Sequence, residues 1–342
     1  FVEHLAEKHD FRYLKKVRPE KAAQVDENEE QTKHGRLLLK LAQVTLGNPQ
    51  VMDMAMGYMK KRNLTVKRFC DALDADVIEP GVEKIARYLC TGNWETLTND
   101  PEARHVLMAL TFFADPAPQD ALGAITNLPD HILNRALYSL SELALIERVG
   151  LAFDPRPRYS LHSLIRAFMV PRVAEDPVWE QEARRRWVDW YVAHVRRYGG
   201  LDWQQHWAAP YQRILAEWET LRKVFAWCEQ HDRYDALTAL WGREGLLSFA
   251  DTFVCWTARQ HWADTIAAMA ERQPDRDRAI IPLMFSSSGW ANTLLGKYRE
   301  AEKLLLRAWE AREHAALLIQ CDIACNLAHL SIRKGDHASD LD

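Results

Sequence analysis

Apolar residues recur along most of the chain at steps of three and four positions, the spacing that places them on one face of an α-helix. This periodicity predicts helices over residues 37–46, 51–59, 66–73, 106–113, 133–145, 187–195, 214–228, 237–249 and 301–306. The exception is a pair of short β-strands, 146–149 and 158–161. Proline cannot donate the N–H that a central strand needs, so Pro155 and Pro157 predict an exposed loop over 150–157 between these strands. The expected fold class is mainly α with one small β-hairpin.

The composition is that of an ordinary globular protein. Of the 342 residues, 48% are apolar and 27% are charged, and the formal net charge is −4. A chain so close to neutrality is not built over its whole surface to bind nucleic-acid phosphates. No apolar run approaches the roughly 18 residues that span a bilayer, and the first ten residues lack the basic start of a signal peptide. We therefore expect a cytoplasmic protein, and the missing initial methionine indicates a piece of a longer one.

The six cysteines are scattered singly, except that Cys321 and Cys325 are one helical turn apart. No CxxC pair and no second Cys/His pair at metal-ligand spacing accompanies them, so no metal site is expected. Free cysteine is one of the residue types most often found buried. All six are therefore predicted to be small buried thiols.

A small winged helix is predicted in the middle of the chain. It runs from the helix at 104–113 through the helix at 133–145 to the two strands, and a further helix starts at Leu161-His162-Ser163. These features resemble the winged-helix domain of STAND signalling ATPases (the NB-ARC and apoptotic-regulator type), which carry a Met-His-Asp or Leu-His-x signature here. The resemblance implies that the His162 imidazole reaches the β-phosphate of ADP and latches the winged helix onto a nucleotide domain. Read alone, His162 is a packed or capping residue, and Ser163 is expected to N-cap the helix over 164–170.

The segment Gly47-Asn48-Pro49 separates two predicted helices and turns the backbone sharply. It resembles the Gly-x-Pro motif of the first helical domain in STAND proteins, whose proline packs beside the adenine, so the resemblance implies this role for Pro49. The family usually continues with Leu-Ala-Leu, which is replaced here by Gln50-Val51-Met52. Outside that context, a Gly-x-Pro between helices is only a turn.

No catalytic motif is found in the 342 residues. The phosphate loop GxxxxGK[ST] does not occur, and neither do HExxH or GxSxG. The segment is therefore not expected to hydrolyse ATP by itself. The resemblance implies that the longer protein is an ATP-binding NTPase, with ADP or ATP and Mg²⁺ held by a domain outside this segment. It also implies that the longer protein self-associates when activated.

The C-terminal part has the spacing of a tetratricopeptide-like repeat, with small and aromatic residues at Phe285, Gly289, Asn292, Gly296, Tyr298, Ala301, Leu305 and Ala308. The turn glycines Gly296 and Gly335 are 39 residues apart, a period longer than the usual one of about 34 and within the range of helical arrays. Such arrays imply a superhelix that binds a protein or peptide, for which Asn292 and Asn326 are candidate contacts. Simple solvation is the other explanation for both asparagines.

Tryptophans are frequent in the preceding helical stretch, which resembles the degenerate first repeats of bacterial STAND regulators. Most of these rings are expected in the core, and some on a ligand-binding face. The expected domains are a helical lead-in at 1–35, a helical domain with the Gly-x-Pro motif at 36–100, a winged helix at 101–175, degenerate tetratricopeptide-like helices at 176–275, and truncated tetratricopeptide repeats at 276–342.

The function expected is the regulatory and sensor portion of a STAND-type nucleotide-dependent switch. Two alternatives remain open, a tetratricopeptide scaffold with no nucleotide role and a winged-helix transcription regulator. The second would need a basic DNA-reading surface, but the helix at 130–145 carries one fixed positive charge, Arg135. Arg156 and Arg158 in the wing are interpreted as a solvated loop. Neither DNA nor a membrane is an expected partner.

Overall fold

The structure is a computed structural model that describes residues 40–75, 82–199, 208–242, 245–253, 255–272 and 278–335. The predicted lead-in at 1–35, Trp203 and Trp207 lie outside these ranges. The chain divides into two compact units between Arg184 and Arg185. Both units are mainly helical, so the predicted fold class is confirmed, while the five-part domain division stays a prediction. No helix within the described ranges is long and apolar enough to cross a bilayer.

The first unit opens with three helices, α1 (Pro49–Lys61), α2 (Val66–Ala75) and α3 (Val82–Thr96). The helical segment before α1 ends in a left-handed turn, with φ of 52° at Leu46 and 67° at Gly47. Asn48 then caps α1, since its side chain accepts a hydrogen bond from the Val51 N–H at 3.0 Å. Pro49 follows at the first helical position, where its fixed φ fits and no N–H is needed.

A winged helix follows, and its elements are α4 (Pro101–Ala109), β1 (Ala117–Pro118), α5 (Gln119–Thr126), α6 (Asp130–Glu142), β2 (Glu147–Leu151), β3 (Asp154–Ser160) and α7 (Ser163–Ala174). The three strands form one antiparallel sheet in the order β1-β3-β2. Asp100 caps α4 by accepting a hydrogen bond from the Ala103 N–H at 3.1 Å, one residue before Pro101. Core residues such as Leu133, Leu140 and Ile165 are buried between the helices.

The predicted loop at 150–157 is wrong. Gly150 lies in β2, both prolines lie in β3, and the turn occupies residues 152–153. Proline is tolerated in this middle strand for two reasons. Strand β1 pairs with β3 only at Arg158 and Tyr159, and the register between β2 and β3 shifts between Val149 and Leu151. Pro155 and Pro157 therefore lie where the ladder is irregular, a place that needs no N–H from them.

Helix α1 packs closely against the C-terminal end of α6. A Cβ atom at Gly57 would lie 2.8 Å from the Glu142 carbonyl oxygen and 2.9 Å from the Leu143 carbonyl carbon. Near this contact the Lys60 ammonium donates to the Glu142 carboxylate at 2.9 Å. The Gln50 side-chain amide donates to the Ala144 carbonyl at 3.3 Å. The helical segment that carries Pro49 is thus joined to the winged helix within one unit.

Helix α8 (Pro177–Tyr198) includes the division at Arg184 and Arg185. The second unit then contains α9 (Ala208–Leu215), α10 (Trp218–Gln230), α11 (Tyr234–Trp241), α12 (Leu247–Thr252), α13 (Trp256–Glu271), α14 (Ile280–Leu294), α15 (Tyr298–Glu310) and α16 (Leu317–Lys334). Gly296 and Gly335 both adopt positive φ, 75° and 77°, after α14 and α16. A Cβ at Gly289 would lie 2.7 Å from Leu305 Cγ, so α14 and α15 cross where the repeat pattern requires a small residue. The tetratricopeptide-like architecture is confirmed.

We predict that Gly57→Ala destabilises the protein by about 1–3 kcal/mol, because the new methyl group meets backbone atoms that no rotamer change can move. In an unhindered helix the same change is stabilising by about 1 kcal/mol. The measurement is the free energy of unfolding in denaturant. Gly150→Ala, in a strand, is the control: a Cβ there meets nothing within 4 Å, so the change should stabilise by about 0.5–1 kcal/mol. A stabilising Gly57→Ala would contradict the close approach of α1 and α6.

Candidate functional site

His162 stands at the junction between β3 and α7 and is the N-cap of α7. Its Nδ1 accepts a hydrogen bond from the Leu164 N–H at 3.3 Å, and its backbone is extended (φ −63°, ψ 147°). The predicted cap at Ser163 is therefore wrong, because Ser163 is already the first helical residue. In the neutral imidazole, an accepting Nδ1 assigns the proton to Nε2. The exposed ring of His162 therefore presents an N–H donor.

The helix that carries His162 is fixed to the rest of the winged helix by Arg166. The Arg166 guanidinium donates to the carbonyl oxygens of Thr111 at 2.8 Å and Leu110 at 3.3 Å. Burial lowers the pKa of Arg166 from its ordinary value. Ile165 and Met169, on the same helix, are fully buried. The His162 side chain is thus bonded to the first turn of a helix that is itself anchored to the winged helix.

Pro49 lies on α1 of the same unit, and its ring is exposed. The left-handed turn at Leu46 and Gly47 and the Asn48 cap hold it at the start of the helix. Pro49 and His162 belong to different helices, α1 and α7, and both face outward. The Pro49 ring and the His162 N–H are therefore both accessible on the surface of the first unit.

Three arginines of the winged helix are bound by groups of the protein itself. The Arg158 guanidinium is buried and donates to the Pro116 carbonyl at 2.8 Å, which contradicts the predicted solvated loop. Arg156 is bound by the carboxylates of Asp154 at 2.6 Å and Asp120 at 2.9 Å. Arg135 on α6 lies 3.8 Å from Glu102. These arginines are engaged by protein groups, which compete with any phosphate.

The two asparagines of the repeats are both hydrogen-bonded to serines of α14, Asn292 from α14 itself and Asn326 from α16. Asn292 is buried, and its amide donates to the Ser288 carbonyl at 2.9 Å. Its Oδ1 has no hydrogen-bond partner among the described residues. Asn326, on α16, is half-buried and donates to the Ser286 hydroxyl at 3.0 Å. Asn326 is therefore the more accessible of the two predicted contacts.

A cleft in the second unit was not predicted from the sequence. It has a volume of about 450 Å³ and lies between α10 and the start of α13. Its lining includes Trp218 and Arg222 from α10 and Trp256, His261 and Trp262 from α13. Residues four apart on a helix share a face, so the spacing of 218 and 222 was the available signal. Which other helix would face them could not be read from spacing.

The six cysteines differ in solvent exposure, which the sequence did not indicate. Cys70, Cys90 and Cys228 are buried, but Cys255 is half-buried and Cys321 and Cys325 are exposed, so the prediction of six buried thiols is wrong. The pattern failed because Cys321 and Cys325 lie on a face of α16 that no described element covers. Burial raises the pKa of Cys90 and of Cys228 to about 12.

Comparison with known proteins gives two matches, while no protein-family profile matches the chain. The transcription activator GutR of Bacillus subtilis (strain 168) is 23% identical over 202 residues, which cover 57% of this chain and 24% of GutR. A solved structure of a signal transduction ATPase with numerous domains (STAND) with a tetratricopeptide repeat sensor, from Pyrococcus horikoshii, covers 83% of this chain and 44% of its own, at 14% identity and a TM-score of 0.40. The chain thus spans about a quarter of the length of GutR. The resemblance predicted from the sequence was to STAND proteins, and this solved structure is of a protein of that class.

We predict that a maleimide reagent at about pH 8, close to the ordinary thiol pKa of about 8.5, modifies Cys321 and Cys325 first. Cys90 and Cys228 should stay unmodified in the folded protein, because a pKa of about 12 keeps the buried thiols protonated and unreactive. Mass spectrometry of digested protein measures the sites. Denatured protein is the control in which all six should react, and early labelling of Cys90 in native protein would contradict its burial.

Proposed function

We propose that this chain is the regulatory and sensor portion of a STAND-type, nucleotide-dependent signalling switch. In this proposal a nucleotide domain outside the segment holds ADP or ATP with Mg²⁺, and the repeats bind a ligand or partner protein. The observation that carries the proposal is the geometry of His162, whose cap to Leu164 directs an Nε2–H donor outward. A second support is that Pro49 is exposed on the same unit.

The residues present fit a nucleotide chemically. His162 would donate from Nε2 to a phosphate oxygen, a charge-assisted hydrogen bond that is stronger than a neutral one. Pro49 offers a rigid apolar ring with no N–H, which suits contact with a base. Bound nucleotide would supply the phosphate charge that these contacts recognise. Both contacts require a partner domain, since both side chains are exposed on the described part of the first unit.

The switch needs only a difference in affinity between two states. A closed state would keep His162 against the nucleotide, and a ligand that binds the second unit better in the open state would shift the population. Release of the winged helix would then permit exchange of ADP for ATP and self-association of the longer protein. Each step uses residues of this chain to hold or free a contact.

A second candidate is that the longer protein controls transcription, and the 23% identity to the transcription activator GutR favours it. The two candidates are compatible if DNA is read elsewhere in the longer protein. The engaged arginines of the wing, Arg156 and Arg158, support a sensor role for this part. A plain tetratricopeptide scaffold would leave the exposed His162 donor without a use.

We predict that His162→Ser in the longer protein weakens ADP retention by roughly 10- to 150-fold, the effect of losing one hydrogen bond to a charged group, about 1.5–3 kcal/mol. Serine is chosen because its hydroxyl still caps α7 but does not reach as far as an imidazole. The measurement is the dissociation rate of labelled ADP.

The control is the thermal unfolding temperature of the His162→Ser variant, which should change little because the serine still caps α7. His162→Ala provides a second variant that removes cap and donor together. Unchanged ADP release in both variants would overturn the proposed latch, and so would a natural full-length polypeptide without a nucleotide-binding domain.

We predict that this chain alone does not bind duplex DNA at about 0.15 M salt, where screening leaves little attraction for a near-neutral surface. Fluorescence anisotropy with a labelled random duplex measures this. Binding that weakens steeply with salt and is lost in Arg135→Gln would instead support the transcription-regulator alternative.

A further inference from the structure

The cleft between α10 and α13 has the size of a small-molecule site. Its volume of about 450 Å³ falls within the range of roughly 300–1,000 Å³ that is usual for ligand pockets. All of its lining residues belong to the second unit. The helices that form it are the degenerate repeats between the winged helix and the regular repeats.

The floor of the cleft is a rigid aromatic surface. Trp262 is 4% exposed and stacks on Phe225, with ring centroids 4.5 Å apart and an angle of 13° between the planes. The ring of Trp241 packs at a right angle to the Trp262 ring, with the centroids 5.1 Å apart. The Trp218 centroid lies 5.4 Å from the Trp262 centroid. Trp218 is held in turn by Phe249 at 5.3 Å. A floor that is already ordered loses little entropy when an apolar ligand settles on it.

The rim of the cleft carries one fixed positive charge, that of Arg222. Arg222 and His261 line it, and no carboxylate is among the lining residues. Arg222 is paired with Glu219 at 3.1 Å and His261 lies 3.5 Å from Glu229, but these are exposed pairs, which contribute only about 0–1 kcal/mol and exchange easily.

The start of α13 adds backbone donors to the same rim. The helix begins at Trp256, its first turn contains no acidic residue, and no side chain caps it. The first N–H groups of a helix without a cap favour an anion. Thr257, exposed in this first turn, also lines the cleft. Positive charge and helix donors therefore converge above an apolar floor.

We propose that the tryptophan cleft binds a small amphipathic acid, with a flat apolar body on Trp218 and Trp262 and a carboxylate between Arg222 and the first turn of α13. Binding itself is a property of this chain. That such an acid is the input signal of the switch rests on the proposed function.

The test uses a matched pair of probes, indolepropionate and its neutral amide, indolepropionamide. The chain is labelled with fluorotryptophan, so that its 13 tryptophans report separately by fluorine NMR. Trp218→Phe and Trp256→Phe assign two of the cleft signals. The expected result is that indolepropionate at roughly millimolar concentration shifts the cleft signals, and that the amide binds about tenfold more weakly.

Three variants locate the carboxylate. Arg222→Gln should weaken the acid about tenfold and leave the amide unchanged. Thr257→Asp should abolish acid binding by charge repulsion, while its helix stays stable because an acid in the first turn is favourable. Arg185→Gln is the matched control, since Arg185 forms a similar exposed pair with Asp189 outside the cleft and should have no effect.

The proposal is overturned if acid and amide bind equally, if neither binds, or if the shifted signals lie outside the cleft. Failure of the proposed function would look different. If the acid binds the cleft but ADP release from the longer protein stays unchanged, the site stands and its role as the input to the switch does not.

Discussion

The close approach of α1 to the end of α6 is the contact on which the first unit depends. It is possible only because Gly57 has no side chain, since a Cβ there would meet backbone atoms of Glu142 and Leu143. The ion pair between Lys60 and Glu142 is half-exposed and adds only about 0–1 kcal/mol. Steric fit, not charge, therefore holds the two parts together. One glycine thus sets where Pro49 stands relative to the winged helix that carries His162.

Features that depend on neighbouring residues could be predicted from the sequence. Helical periodicity, the Gly-x-Pro turn and the repeat glycines are local patterns, and Pro49 and Gly296 lie where those patterns placed them. The hairpin was predicted, but its loop was predicted too long, because the tolerance for Pro155 and Pro157 depends on a register shift between β2 and β3 and on the short pairing with the distant strand β1. The cap of α7 was misplaced by one residue because the histidine itself accepts the N–H.

The candidate sites also include features that could be predicted from local sequence and features that could not. The motif residues could be named from the sequence, but the outward Nε2–H of His162 follows from a hydrogen bond that only the structure shows. The tryptophan cleft could not be predicted, because it requires α10 and α13, which are not consecutive in the chain, to face each other. The burial of the cysteines could not be predicted either, because it depends on which helix faces are covered. Cys321 and Cys325 lie on an uncovered helix face, while Cys90 is in the core.

Three successive serines of α14 connect the tryptophan cleft to the regular repeats. Ser287 accepts from the Arg259 guanidinium at 3.0 Å and Ser288 donates to the Asp264 carboxylate at 2.6 Å, so both tie α14 to α13, the helix that lines the cleft. Ser286 accepts from Asn326 of α16 at 3.0 Å.

The bond between Arg259 and Ser287 is buried and the other two are partly buried. Breaking a buried hydrogen bond costs free energy, so these bonds favour the observed packing of α13, α14 and α16. The same hydrogen bonds thus join the helix that lines the cleft to the helix that carries Asn326. If the cleft and the repeats bind as proposed, both sites belong to one hydrogen-bonded set of helices.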